Sequence, residues 1–231
     1  MPNPAARFAR ALPLLTLLLA GAASAITVDQ VEIEPLEPMD VHPRTSVNVV
    51  EQLARHHYVR RSIDDDLSSK IFERYLEMLD PQRSYFLAED VQAFEEHRYA
   101  LDDALRRGDL EPAFEMFNRY HEILVNRLEH SITLLNAGID DWDFEADETL
   151  ETDRSESPWL ASAAARDDLW RRRLKAAALS MRLNDKDMDE ITEVLLKRYR
   201  NRLHRATQTN AEDAFQVYMN AVATSYDPHT Q

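Results

Sequence analysis

Glycine is nearly absent from this chain of 231 residues: three occur, Gly21, Gly108 and Gly138. Tight hairpins draw on glycine to reach positive φ, so a sheet-rich chain of this length would need more of them. Phosphate-cradling and dinucleotide loops need clusters of glycine, and none is present. The composition therefore predicts an all-α fold. Cysteine is absent altogether, which excludes disulfides, thiolate zinc sites and cysteine nucleophiles.

The first segment reads as a leader rather than as part of that fold. Arg7 and Arg10 precede an apolar run from Ala11 to Ala20, and Ala23-Ser24-Ala25 offers a small-residue cleavage site. This is the pattern of a secretory signal peptide, so residues 1–25 are expected to be removed on export. Removal takes the formal net charge from −15 to −17. Such acidity argues against nucleic acid and anionic membrane surfaces as partners. No later stretch is long and apolar enough to span a membrane, so no membrane span is expected after cleavage.

Periodicity places about seven helices in two halves. Residues 26–43 hold Pro35, Pro38 and Pro43 and read as an extended arm. A first helix is expected from Arg44 to Tyr58. A second starts at Ser62 with Asp65 three residues on, carries Leu67, Ile71, Tyr75 and Met78, and stops at Asp80-Pro81. A third runs from about Ala88 to Arg107, closed by Gly108. Asp109 caps a fourth with Phe114, Phe117, His121, Leu124, Leu128 and Leu135 on its buried stripe, closed by Gly138. So short a connection predicts an antiparallel pair. Residues 140–156 contain nine acidic side chains against Arg154; this block should remain solvated, pinned by Trp142, Phe144 and Trp159. The second half opens near Ser162. Asn184 or Asp185 is expected to cap the next helix, and Asn210, with Asp213 three on, the last.

Candidate chemistry is sparse. His56-His57 are adjacent on a helix and point about 100° apart, so they do not chelate one ion unaided. His121-Glu122 and His130 are spaced nine apart, not four, which does not give a metalloprotease helix. Asp64-Asp65-Asp66 lack a calcium-loop ladder and suit a helix N-terminus. Lys70, Lys175, Lys186 and Lys197 lie among charged neighbours, where a lysine stays protonated rather than serving a serine as base. Arg171-Arg172-Arg173 forms a basic spot suited to the acidic block or to another domain. No catalytic, cofactor-binding or metal residue is assigned.

Four stretches carry a resemblance. They are Ser69-Lys-Ile-Phe-Glu-Arg-Tyr-Leu-Glu-Met-Leu-Asp80 with the turn to Asp90, and Asp153-Arg-Ser-Glu-Ser-Pro-Trp159. The others are Arg198-Tyr199 and Arg202-Leu203 followed by Gln208-Thr-Asn-Ala-Glu-Asp-Ala-Phe215, and Asp227-Pro-His-Thr230. In order and spacing, from about residue 45 to 231, they resemble the N-terminal helical domain of tail-specific proteases. These are C-terminal-processing serine peptidases of the bacterial periplasm.

The resemblance implies a domain that precedes a PDZ domain and a protease core with a Ser/Lys dyad. It implies a periplasmic location, envelope-protein substrates read by their apolar C-termini, and a TPR-type lipoprotein adaptor as partner. No position of this chain matches the dyad, so no catalytic residue is carried over. The organisation expected is a signal peptide at 1–25, an arm at 26–43, the helical domain at 44–225 and, at 226–231, the start of a linker to an absent PDZ and protease core. The function expected is that of an inactive scaffold. The alternative is a free-standing periplasmic helical binding module.

Overall fold

In the computed structural model the described residues are 32–56, 62–139 and 141–227. The expected leader, the start of the arm, His57 and the last four residues lie outside them, as does the side chain of His56. Among the described residues the secondary structure is helical, with one isolated bridge between Leu87 and Leu160. The α-helices are α1 (His42–His56), α2 (Asp65–Leu79), α3 (Ala88–Phe94), α4 (Leu101–Arg107), α5 (Glu111–Asn136), α6 (Ala163–Arg182), α7 (Met188–Ala206) and α8 (Ala211–Tyr226). None is long and apolar enough to cross a membrane.

The all-α expectation holds, but the third predicted helix is split. A 3₁₀ turn at Glu95–His97 separates α3 from α4. Neither glycine nor proline lies in this stretch; the break is made by a distant partner. The Ser68 hydroxyl, buried in α2, donates to the Arg98 carbonyl at 2.8 Å and accepts from the Leu101 amide at 2.9 Å. It thereby satisfies two backbone groups that a continuous helix would have paired internally. Arg98 completes the clasp by reaching Glu95, Glu73 and Ser69 and lying 4.5 Å from the Phe72 ring centroid. Replacing Ser68 with Ala should remove the partner of both groups, leaving the buried Leu101 amide unpaired, and cost about 2 kcal/mol of stability. A thermal midpoint equal to that of the unmodified chain would refute this account of the break.

Several caps also shift. Asp64, not Ser62, caps α2 by accepting from the Leu67 amide, with Asp65 and Asp66 in the first turn. Leu110 stands at the N-cap position of α5, and Asp109 acts one residue earlier by accepting from the Glu111 amide. Asp187 caps α7 in place of Asn184 or Asp185. Those two are consumed in ending α6: the Asn184 side-chain Nδ2 donates to the Ser180 carbonyl, and Asp185 takes a left-handed φ of 61°. Ser162 and Asn210 cap α6 and α8, the latter in a capping box with Asp213.

The helices close over two main cores. The first gathers α1 to α4, the front of α5 and α8; the second gathers the back of α5 with α6 and α7. The division therefore differs from a simple cut at the acidic block. Helix α5 runs through both cores, and α8 returns to pack on α2. Helix α4 packs chiefly on α1 and α2 rather than pairing with α5. Tyr75 anchors the first core, its ring 5.2 Å from that of Tyr218 and its hydroxyl donating to the Ala113 carbonyl. The arm is tied down where Asn118 of α5 exchanges two hydrogen bonds with the backbone of Leu36.

Candidate functional site

The turn after α2 is organised by one carboxylate. Asp80 is 1% exposed. Its Oδ1 accepts from the Ser84 amide at 2.8 Å, and its Oδ2 from the amides of Tyr85 and Phe86 at 2.8 and 3.1 Å. Three amides converging on two oxygens bend the chain sharply and place Arg83 at a φ of 42°. That left-handed backbone is held from outside: the Arg83 guanidinium donates to the Ser157 carbonyl and lies 5.2 Å from the Trp159 ring centroid.

Residues 153–159 act as a strap across this turn. The Gln82 side chain accepts from the Arg154 amide and reaches Asp153, and Arg154 folds back onto Glu151 and the Pro158 carbonyl. Trp159 packs on Phe86, while Trp170 of α6 donates to the Ser84 carbonyl. The Ala88 amide then bonds to the Leu160 carbonyl, locking the strap to the start of α3.

The end of α8 arrives at the same place. Arg74 bonds to Thr224, and Ser225 donates to the Lys70 carbonyl. Between these parts lies an open groove of about 1080 Å³, walled by α2, α3, the strap and the last turn of α8. Its charged walls are largely paired internally, Arg74 with Glu77 and Arg98 with Glu73 and Glu95. Hydrogen bonding to Arg98 holds the Glu95 carboxyl below the usual range.

A serine and a lysine meet in this groove. The Ser225 hydroxyl bonds to the backbone carbonyl of Lys70, and the Lys70 side chain is exposed. That contact is to the lysine's backbone carbonyl, which is not the base a serine nucleophile requires. Lys175 is bound to Glu148, and Lys186 to Glu190.

Other sequence candidates among the described residues make contacts within the fold. His121 is buried, and its Nε2 donates to the Ala206 carbonyl at 2.7 Å; burial, with Arg127 nearby, depresses the pKa of His130. The basic spot serves the acidic block. Arg171 and Lys175 both bind Glu148 and hold its carboxyl down at about 2, and Arg172 donates to the Thr149 carbonyl. Trp142 and Phe144 pack on the second core and pin the block, as their spacing predicts.

One cluster has no signal in the sequence. Glu96, His97 and Glu115 bring a ligand atom each to within 4.8 Å of one another, across two elements. His97 already bonds to Glu115 at 3.0 Å, and both glutamates are exposed, which is the pattern of a surface ion pair.

Comparison with known proteins sharpens these observations. The sequence model described as the tail specific protease N-terminal domain matches residues 49–231. A tail-specific protease of Haemophilus influenzae is 34% identical over 180 residues, covering 78% of this chain and 26% of that protein. The chain thus spans about a quarter of the length of this curated relative. The groove, the strap and the α2 turn all fall inside the matched region.

Proposed function

Since the chain belongs to the tail-specific protease family through the N-terminal domain of that family, we propose that it is the scaffold of a carboxy-terminal-processing serine endopeptidase. The observation that carries this is the convergence of two resemblance-bearing stretches on one polar groove, closed by the end of α8 just before another such stretch. The α2 turn, the 153–159 strap and the end of α8 build it together. On this reading the groove seats the PDZ and protease core of the full-length enzyme, and the Ser/Lys dyad belongs to that core. The enzyme works in the periplasm after removal of residues 1–25. It degrades envelope proteins from apolar C-termini, with a TPR-type lipoprotein adaptor as a further partner.

The chain by itself should then be inactive. Purified chain incubated with a reporter protein bearing an apolar C-terminus should leave it intact; cleavage that survives repurification would overturn the scaffold reading. A second reading, a free-standing helical binding module, draws on the closure of both cores by the chain's own helices. A longer reading frame continuing into a PDZ-like segment decides against it.

A further inference from the structure

The end of α7 departs from the charge of the rest of the molecule. Residues 197–205 read Lys-Arg-Tyr-Arg-Asn-Arg-Leu-His-Arg, with no acid, in a chain of net charge −15. Elsewhere the arginines are mostly bound to carboxylates, as Arg98, Arg119, Arg127 and Arg171 show. Among the described residues, none of Lys197, Arg198, Arg200, Arg202 and Arg205 has a carboxylate partner. The helix dipole accounts for His204 and Arg205, which lie in the last turn, but its effect fades before Arg198 and Arg202.

Arg198, Arg202 and Arg205 are spaced i, i+4 and i+7 and share one flank of α7. Arg173 of α6 faces the same flank. The link is geometric: Arg173 lies over Trp170, whose ring is 5.3 Å from that of Tyr85, the residue to which Arg202 donates. Aromatic rings hold two of these guanidinium groups in place. Arg202 lies 5.6 Å from the Tyr199 ring centroid and donates to the Tyr85 hydroxyl at 3.3 Å; Arg173 lies 5.7 Å from the Trp170 centroid. The carboxylate whose field reaches Arg173 is Asp80, and its oxygens are already committed to three backbone amides. Among the described residues the flank is thus a set of guanidinium donors, two of them held by aromatic rings, without a carboxylate partner.

We propose that Arg173, Arg198, Arg202 and Arg205 form a docking surface for an acidic segment of a separate protein. Charge complementarity selects a compact partner. A nucleic acid or an anionic membrane carries charge continuously, and beyond the patch it would meet the acidic remainder of the chain. Tyr199 is 6% exposed, so α7 offers no ring on which bases could stack. Its end also lacks an exposed apolar side chain to enter a lipid surface. A short run of aspartates and glutamates fits within the patch and gains charge-assisted, bidentate contacts from arginine.

The test uses the chain and a fluorescein-labelled oligoglutamate peptide, followed by anisotropy at low and high salt. Binding is expected at low salt and should weaken as salt screens it. The double reversal Arg198→Glu/Arg205→Glu should weaken binding about tenfold. Arg44→Glu/Arg107→Glu, an equal charge change at α1 and α4, should leave it nearly unchanged. Both sites of the first variant are exposed, and matching thermal midpoints confirm that it folds. Absence of peptide binding, or equal weakening in the two double variants, overturns the proposal. So does tighter α7-dependent binding of a DNA duplex or phosphatidylglycerol vesicles, or sedimentation showing that α7 joins copies of the chain.

Discussion

Asp80→Asn is expected to destabilise the chain nearly as much as Asp80→Ala, by about 3–5 kcal/mol, although it is the closest substitution in shape. Each carboxylate oxygen is spoken for: Oδ1 takes the Ser84 amide and Oδ2 takes those of Tyr85 and Phe86. An asparagine keeps one acceptor and turns an NH₂ group toward at least one of these amides. Rotating the side chain moves the conflict to the other oxygen without removing it. The site is buried, so water cannot replace the lost acceptor. Ser84→Ala is the control, since its hydroxyl lies at a marginal 3.4 Å from Oδ1; its cost should stay below about 1 kcal/mol. Urea unfolding midpoints at constant slope measure all three. A near-normal midpoint for Asp80→Asn would show that the three amides do not depend on the carboxylate. The same variant should expose the 81–86 turn and the strap to limited proteolysis, because Arg83 and Gln82 lose the geometry that holds residues 153–159.

What could be read from the sequence was local. Asn210 caps its helix as read, and α6 opens at Ser162, because an N-cap bonds only two or three residues onward and the signal and its partner lie in one short window. The buried stripes of α2 and α5 also follow from spacing, with Leu67, Ile71, Tyr75, Phe114, Phe117 and Leu128 inside. The Met78 position on the α2 stripe fails at the helix end, where the side chain is 36% exposed. Some misreadings have a local cause and others a distant one. The split between α3 and α4 depends on Ser68, thirty residues from Arg98 in sequence. The start of α7 depends on how α6 ends. The return of α8 to α2 depends on a core that periodicity does not reveal. The groove was illegible for the same reason: its walls come from residues as far apart as Lys70 and Ser225, joined by one hydrogen bond. The motifs marked the segments without showing that they meet.

Gly108→Ala should cost about 2–4 kcal/mol, roughly twice the cost of Gly138→Ala. Both glycines have positive φ, 71° and 98°. Both substitutions therefore carry backbone strain of about 1–2 kcal/mol. They differ in what a methyl group would meet. At Gly138 nothing lies within 4 Å, whereas at Gly108 the new Cβ would stand 2.8 Å from the Pro43 carbonyl oxygen. That oxygen is backbone in the first turn of α1, and it cannot swing aside as a flexible side chain would. It also accepts the Ser46 hydroxyl, so displacement loses a hydrogen bond. Relief requires α1 to move away from α4. His42, beside Pro43, stacks on Phe215 at 4.1 Å and bonds to Glu212, so the movement would reach α8. The difference in thermal midpoint between the two alanine variants isolates the steric part of the cost. Equal midpoints would mean that α1 yields freely, and that the contact between Gly108 and Pro43 does not fix the junction between α1, α4 and α8.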